Sequence, residues 1–394
     1  MINLYLHNMK YINHSLKTLL IAFIFLNLYI ILSGKNYIYK AIKIGYLNGN
    51  ITATIEDIDF FDTRIIASEK KEPWPIAKNY NQKELDENFR IMLEKNESIA
   101  LAVIQNDSLI YEEYWGIGSR TSRTNSFSMG KSVVSILIGI AIDEGLIENI
   151  DQKMIDFIPE YNREGQHYNK EVTIKHLLTM SSGIDWDEDY YNPFGITANA
   201  YFTSELTKLM LSIDFIEEPG KSYKYKSGNT QVLAMILERV TGKNLSEYTS
   251  EKLWSPLGAE DDAEWMLDKK EGVEKAYCCL NSNALDFSRL GQLYIDNGRW
   301  KGQQLVDSSY VKNSLKSDLE KFYGYSWWLF ETEYKYPVFC MRGVNGQYVI
   351  SVPKLDMVAT RLGHKEENYD SESISDMKFY IEQIIRHFDI SNTE

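Results

Sequence analysis

Ser128-Met129-Gly130-Lys131 leads into an apolar run from Val133 to Ile142, which is the most informative stretch of this 394-residue chain. A helix over this run would be apolar almost all round, which predicts that it is buried. Ser128, Lys131, Ser132 and Ser135 recur at helical spacing and form one polar stripe on that helix. Because an unpaired ammonium is costly to bury, we expect the lysine to lose its proton. A neutral amine beside a serine hydroxyl is a general base beside a nucleophile.

The spacing of a serine three residues before a lysine is not specific by itself. It recurs at four other positions, whose serines are Ser68, Ser309, Ser351 and Ser375. Those stretches are charged or polar or run into a proline, so only Ser128 leads an apolar helix. The alternative for the stretch is a lysine whose stem lies along the apolar surface and whose ammonium reaches water, with small serines that ease helix packing.

Composition and charge restrict the class of protein. The chain is 44% hydrophobic and 25% charged, which is typical of a globular protein with one large or two ordinary domains. Residues 1–55 contain five lysines and no acidic residue, so they carry +5 and the remainder carries -14 minus 5, or -19. An acidic body of this kind is not expected to bind nucleic acid.

The N-terminal segment has the layout of an export signal. An apolar run from Leu19 to Leu32 follows Lys10 and Lys17, as in a secretory signal or a short membrane anchor. A small-residue cleavage pattern is not evident around Ser33, which favours an uncleaved anchor over a cleaved signal; a buried N-terminal helix is the third interpretation. An anchor predicts a membrane-bound protein with an extracytoplasmic main domain, and cleavage predicts a secreted or periplasmic one. We assign residues 1–34 to this segment, 35–80 to a lead-in and 81–394 to the main domain.

The cysteines and histidines predict neither a disulfide framework nor a metal site. Adjacent cysteines rarely bridge each other, so Cys278 and Cys279 would have to compete for Cys340, and three buried thiols are the favoured interpretation. The six histidines show no paired ligand spacing, which argues against zinc. We therefore expect no metal and no cofactor.

The order of apolar patterns predicts an α+β fold. Two strands precede the Ser128 helix, a mainly helical block covers residues 146–312, and four strands and a last helix follow. Such an order implies one antiparallel sheet of five or six strands flanked by helices, with the helical block as an embedded lobe and a cleft where it meets the sheet. The predicted strands are Ile99–Ile104, Leu109–Tyr114, Tyr325–Phe330, Tyr336–Met341, Tyr348–Val352 and Met357–Leu362, and the flanking helices are Lys83–Glu94 and Ile374–His387.

Two further motifs add groups that suit acyl transfer. Tyr223-Lys224-Tyr225-Lys226-Ser227-Gly228-Asn229 precedes a predicted helix from Gln231, and a phenol near a lysine can relay a proton. Met341-Arg342-Gly343-Val344-Asn345-Gly346-Gln347 lies at a strand end, where glycine permits close backbone approach and an amide can point at a developing oxyanion. Each motif alone has a plain alternative, a surface loop for the first and a hairpin turn for the second.

Together, the three motifs resemble the serine hydrolase family of class C β-lactamases, penicillin-binding D,D-peptidases and related esterases, over roughly Lys83 to Phe388. Residues 174–183 resemble a helix and turn of that family. Residues 277–281 and 286–291 are similar to the branch with 6-aminohexanoate-dimer hydrolase and family VIII type esterases. The resemblance implies a β-lactamase/transpeptidase-like fold and a serine hydrolase that forms an acyl-enzyme.

Carried over by position, the resemblance implies Ser128 as nucleophile, Lys131 as its base and Tyr225 as the proton shuttle. It also implies an oxyanion hole from the backbone amides of Ser128 and Val344, with Gly343 and Ser227 lining the substrate site. Ser227 is a departure, because many members carry asparagine there.

A second departure concerns the substrate. The third motif of β-lactamases and D,D-peptidases begins with lysine or histidine, which helps to hold the substrate carboxylate, whereas this chain has Met341. Arg342 would replace that charge only if the strand turned, since neighbouring side chains point to opposite faces. We therefore expect weak or absent β-lactamase activity and favour an ester or an unstrained amide.

Other functions remain as alternatives. A D,D-peptidase, a β-lactamase and a catalytically silent envelope binding protein share the implied fold, and retention of Ser128, Lys131 and Tyr225 argues against the silent protein. An α/β-hydrolase would need glycine at Ser126, and a P-loop would need glycine at Asn125. Six aromatic residues are candidates for a cleft wall or for the core: Trp186, Tyr190, Tyr191, Phe194, Trp327 and Trp328.

Overall fold

The six predicted strands form one antiparallel sheet in the computed structural model, which describes residues 2–333, 335–366 and 375–389. Across the sheet the strands are Ser108–Tyr114 (β3), Ser98–Gln105 (β2), Met357–Gly363 (β12), Gln347–Val352 (β11), Pro337–Gly343 (β10) and Trp328–Glu331 (β9). The pairing of β2 with β12 joins the two ends of the main domain. The predicted α+β fold, with a sheet completed by distant segments, is confirmed.

Helices cover both faces of this sheet, as its buried central strands require. On one face, buried hydrophobic side chains of the strands pack against helices Glu87–Lys95 (α3) and Ser375–Phe388 (α13). On the other face lies Ala284–Ile295 (α11), where Ser288 and Thr360 share a hydrogen bond of 2.7 Å. Gly291 permits close approach there, because an added Cβ would lie 2.7 Å from Ser351 Oγ. The predicted end helices agree with α3 and α13 to within four residues; Ile374 lies outside the described residues.

A second, four-stranded sheet was not predicted from the sequence. Its strands are Thr63–Ile66 (β1), Ala263–Met266 (β5), Leu280–Ser282 (β6) and Thr124–Asn125 (β4), in that spatial order. Each has four residues or fewer, which is too short for an alternating pattern to be recognised. The pairing of β4 with β6 holds the chain before Ser128 against the chain after Cys279.

The Ser128 helix is buried as its composition requires. It spans Met129–Asp143 (α4) and contacts β10, β11 and the helix Gly228–Thr241 (α9). The predicted helical block also contains Met154–Phe157 (α5), Ile174–Leu178 (α6), Ile196–Phe202 (α7), Leu206–Ser212 (α8), Leu245–Thr249 (α10), Ser308–Ser314 (α12), the π-helical turn Ser250–Trp254 and a small ribbon of Arg299–Trp300 (β7) and Gln303–Gln304 (β8). Single 3-10 turns lie at Tyr46–Asn48, Asp57–Phe60, Pro159–Tyr161, Tyr168–Lys170, Val344–Gly346 and Pro353–Leu355.

The chain divides into two compact units. The larger comprises Ala53–Glu188 and the chain from Glu205 onward, and so includes residues 53–80 of the predicted lead-in. The smaller combines the chain up to Thr52 with Asp189–Ser204. It contains helices Ile2–Leu32 (α1) and Tyr37–Ile44 (α2) together with α7.

The first helix of the smaller unit contains a candidate membrane span. Ser15–Leu32 has a mean hydropathy of 2.1, and 6% of the segment is buried. By length and composition this helix can cross a membrane, and the same properties suit a signal sequence.

Candidate active site

Ser128 and Lys131 meet at the N-terminal end of α4. Lys131 Nζ donates to Ser128 Oγ over 2.7 Å and to the carbonyl oxygen of Tyr277 over 2.9 Å. The lysine is 1% exposed, whereas Ser128 is partly accessible. The ammonium therefore does not reach water along the stem, and the amine lies beside the hydroxyl.

The other two residues of the polar stripe hold the helix in place. Ser132 Oγ donates to the carbonyl of Ser326 over 2.6 Å, and Ser135 Oγ donates to that of Tyr325 over 2.7 Å. Both serines are buried, and each satisfies a carbonyl of the chain that leads into β9. The stripe thus fixes α4 against the sheet while Lys131 faces Ser128.

Burial changes the protonation of Lys131. Removal from water lowers the pKa of the Lys131 amine from 10.5 to about 8, while the negative charge of Glu188 raises it. With a pKa of about 8, roughly one lysine in ten is neutral at pH 7. A base with a pKa near the working pH is well suited to proton transfer.

The turn before the nucleophile is strained and tied down. Phe127 has a φ of 45°, in the left-handed region that residues other than glycine seldom adopt. Asn125 Oδ1 accepts from the backbone amides of Phe127 (2.9 Å) and Cys279 (3.0 Å), which links this turn to the loop that carries the Tyr277 carbonyl. Asn125 was not predicted to belong to the site, because it lies in a polar stretch with no distinguishing pattern.

Tyr225 lies beside the lysine. Its ring centroid is 5.0 Å from Lys131 Nζ, and the side chain is 5% exposed. The ring packs against Trp328 at 5.6 Å and Tyr323 at 6.1 Å. The structure therefore brings the predicted nucleophile, base and proton shuttle together.

Ser227 binds a carboxylate that no sequence pattern had singled out. Glu188 accepts from the backbone amide of Ser227 over 2.7 Å and also from its hydroxyl. This bidentate contact holds the start of α9 and places a negative charge near Lys131. Glu188 lies in the acidic stretch 185–189, whose composition is typical of a solvated loop, so it was not predicted to belong to the site.

Gly343 allows the third motif to approach the nucleophile. A Cβ on Gly343 would lie 2.2 Å from the carbonyl oxygen of Ser126, so only glycine fits without movement. Val344 follows directly and begins a 3-10 turn. The turn is fixed by the buried Arg361, which donates to the carbonyls of Asn345 (3.0 Å) and Gly346 (2.7 Å).

Met341 and Arg342 lie on opposite faces of β10, as the strand geometry predicts. Met341 is fully buried and pairs with Val349 of β11. The guanidinium carbon of Arg342 lies 4.8 Å from the centroid of the Trp328 ring, in a cation–π contact. The Trp328 ring contacts the Tyr225 ring as well, at 5.6 Å between centroids.

The expectation of three buried thiols is wrong. Cys278 and Cys279 form a disulfide between adjacent residues, and Cys340 is a buried thiol outside that bridge. The bridge directly follows Tyr277, whose carbonyl accepts from Lys131. The bridge was not expected, because disulfides between adjacent cysteines are rare even though the two residues are necessarily close.

The six aromatic candidates separate into two groups. Trp186, Trp327 and Trp328 are buried in the larger unit, and Trp186 packs edge-on against Tyr277 at 6.0 Å. Tyr190, Tyr191 and Phe194 belong to the smaller unit, where Tyr191 and Phe194 are exposed.

Comparisons with known proteins bear on the family and the fold of this chain. The sequence model of the family described as Beta-lactamase matches residues 85–376. A 6-aminohexanoate-dimer hydrolase from Paenarthrobacter ureafaciens is 28% identical over 234 residues, which cover 57% of this chain and 58% of that protein. The match thus spans less than two thirds of that relative's length.

Two solved structures share the fold. One, from Bacillus anthracis, is provisionally named a 6-aminohexanoate-dimer hydrolase; it aligns with a TM-score of 0.71 at 22% identity and covers 84% of this chain and 91% of its own. The other is a family VIII carboxylesterase, with a TM-score of 0.61, 16% identity and coverage of 80% and 99%. At these identities the likeness concerns the fold.

Proposed function

This chain belongs to the Beta-lactamase family, and we propose that it is a serine hydrolase that forms an acyl-enzyme on Ser128 and acts on an ester or amide. One observation carries the proposal: a fully buried lysine amine lies 2.7 Å from the hydroxyl of a partly accessible serine. A buried amine with a lowered pKa is a general base in reach of a nucleophile.

Acylation follows from the contacts of Lys131. In the neutral amine one N–H stays on the carbonyl of Tyr277, and the lone pair then accepts from the Ser128 hydroxyl in place of the N–H that the protonated amine donates to Oγ. As the hydroxyl attacks the acyl carbon, its proton passes to Lys131. The backbone amides of Ser128 and Val344 bind the oxyanion, and one such donor contributes about 3 kcal/mol in the transition state.

Tyr225 completes the cycle as a relay. Its position beside Lys131 suits transfer of the serine proton to the leaving alcohol or amine. Water then attacks the acyl-enzyme and gives up a proton to the same pair of groups. Hydrolysis therefore restores Ser128 and Lys131 to their starting protonation states.

The environment of the third motif supports an ester or unstrained amide over a penicillin-like substrate. Met341 supplies no charge, and the Arg342 cation is held against Trp328. A β-lactam carboxylate would lack the cation that lysine or histidine supplies in β-lactamases. We propose weak or absent β-lactamase activity.

Membrane attachment is a further part of the proposal. The apolar helix Ser15–Leu32 supports a signal anchor with the catalytic domain outside the cytoplasm, and removal of the segment would give a secreted or periplasmic protein. Extraction of membranes at high pH separates the two cases: an anchored chain stays in the pellet, and a soluble one is released.

A fluorophosphonate probe tests the nucleophile. We expect one adduct, located on Ser128 by mass spectrometry and absent from Ser128→Ala. Ser309→Ala is the matched control, since Ser309 also stands three residues before a lysine but lies in α12. A folded protein without an adduct, or equal labelling of Ser128→Ala, would overturn the enzyme and favour a silent binding protein.

A substrate panel tests the reaction class. It comprises p-nitrophenyl esters, D-amino acid amides and a chromogenic cephalosporin. We expect turnover of esters or amides and little turnover of the cephalosporin. Rapid cephalosporin hydrolysis would refute the argument from Met341, and preferred turnover of D-amino acid amides would favour a D,D-peptidase.

A further inference from the structure

The smaller unit joins the candidate membrane span to a segment from the middle of the chain. Ile30, Tyr37 and Ile38 form a small buried cluster, against which residues of α7 pack. Tyr37 Oη also donates to the carbonyl of Pro193 over 3.2 Å. The excursion Asp189–Ser204 is thus held against the end of α1 and against α2.

This unit exposes apolar side chains that the protein interior does not cover. Leu47 is 75% exposed and Tyr191 is 71% exposed. Together with Tyr39, Ile42, Tyr46 and Phe194, which are also exposed, they make up what we call the interfacial surface. Tyrosine and aliphatic side chains next to a membrane span are typical of the lipid–water interface.

The charge of the same region suits an anionic bilayer. Lys35, Lys40 and Lys43 follow the span directly, and residues 1–55 contain no acidic residue. Lys35 Nζ lies 5.7 Å from the Phe194 ring centroid, so a cation sits next to an exposed aromatic residue of the excursion. Residues 56–394 carry a net charge of -19, to which the excursion contributes only Asp189, so anionic lipid would repel the larger unit and favour contact with the smaller one.

The excursion begins at the active site. Its first residue follows Glu188, whose carboxylate binds Ser227 and whose negative charge raises the pKa of Lys131. From Glu188, Tyr191 is three residues away and Phe194 six, so the connecting backbone is at most about 10 and 20 Å long. Two aromatic side chains of the interfacial surface therefore follow a residue of the active site closely along the chain.

We propose that the interfacial surface lies in an anionic lipid bilayer and that the substrate is an ester of a long-chain amphiphile that resides in that bilayer. The inference rests on the proposed serine hydrolase activity. In the reaction the ester C–O bond breaks, the acyl carbon bonds to Ser128 Oγ, and the alcohol leaves with a proton. Water then releases the fatty acid and restores the serine.

The test compares two esters with the full chain reconstituted in vesicles of phosphatidylcholine and phosphatidylglycerol. One is p-nitrophenyl palmitate in the bilayer, and the other is p-nitrophenyl acetate in the water phase. For the double variant Ile42→Ser/Leu47→Ser we expect palmitate hydrolysis to fall about tenfold, because two aliphatic side chains leave the interface. Acetate hydrolysis is expected to stay unchanged.

The control variant is Ile91→Ser/Ile117→Ser, which removes two exposed aliphatic side chains from the larger unit. It is expected to leave both rates unchanged. An unchanged palmitate rate in Ile42→Ser/Leu47→Ser, or an equal loss on both esters, would overturn the substrate class. Loss of acetate hydrolysis in Ser128→Ala tests the serine hydrolase itself, so the two failures are distinguishable.

A second measurement tests the surface without catalysis. Leu47→Cys carries an environment-sensitive nitrobenzoxadiazole label, and the fully buried Cys340 is not expected to react in the folded protein. Lipids brominated on their acyl chains are expected to quench the label at position 47, and not a label on Ile117→Cys. Absence of quenching at position 47 would overturn the interfacial surface whatever the hydrolysis rates.

Discussion

Replacement of Glu188 by glutamine is expected to make the enzyme faster at neutral pH. Glutamine keeps an oxygen that can accept from Ser227 but removes the negative charge near Lys131. Burial lowers the pKa of Lys131 to about 8, and the charge of Glu188 opposes that effect. In Glu188→Gln the pKa of Lys131 is therefore lower than in the wild type, and more of the base is neutral at pH 7.

The size of the gain has an upper limit. With a pKa of about 8, roughly one tenth of the wild-type lysine is neutral at pH 7, so the variant can gain at most about tenfold there. At pH 9 about nine tenths is already neutral, and the gain disappears. The ratio of the variant's rate to the wild-type rate should thus be higher at pH 7 than above pH 9, where both enzymes have reached their plateau rates.

The assay is kcat/KM of the best ester against pH, with the spontaneous rate subtracted, because this profile reports the groups of the free enzyme. We expect the wild-type rise to centre near pH 8 and that of Glu188→Gln at lower pH, whatever happens to the plateau. The control is Glu217→Gln, which removes a carboxylate that pairs with Lys224. A midpoint that stays or moves upward in Glu188→Gln, or moves equally in the control, would contradict an effect of the Glu188 charge on Lys131.

Three further changes have definite expected outcomes. Lys131→Met is expected to abolish hydrolysis. Because folding lowers the pKa of Lys131, the unfolding free energy of the wild type should rise by up to about 3 kcal/mol relative to this variant between pH 8 and 10.5. Chemical denaturation measures this difference, and a difference that stays constant with pH would contradict a lowered pKa. Gly343→Ala places a Cβ 2.2 Å from the carbonyl oxygen of Ser126, so we expect the unfolding free energy to fall by about 1–3 kcal/mol and kcat/KM to fall by a larger fraction than the unfolding free energy does. Normal kinetics would contradict the close approach. Unfolded protein without reductant should titrate as one thiol per chain, from Cys340, and three thiols would disprove the bridge.

The strands and helices that follow from local pattern were predicted well. Predicted strand Met357–Leu362 differs from β12 by one residue, since every residue of that strand is buried and most of its side chains are apolar or β-branched. The second sheet escaped prediction because β4 and β6 have two and three residues, and such pairs form only when distant segments meet. Propensity over so short a stretch carries too little information.

Local pattern was enough to predict that Ser128 and Lys131 share one side of a buried helix, because helical spacing and the cost of burying a charge are local properties. The residues that surround them could not be predicted in this way and follow from tertiary packing. The carboxylate of Glu188 at Ser227 and the contact of Gly343 with the turn before Ser128 join residues that are remote along the chain. Such contacts depend on how the elements pack, and they set the charge and the space in which the lysine and serine would react.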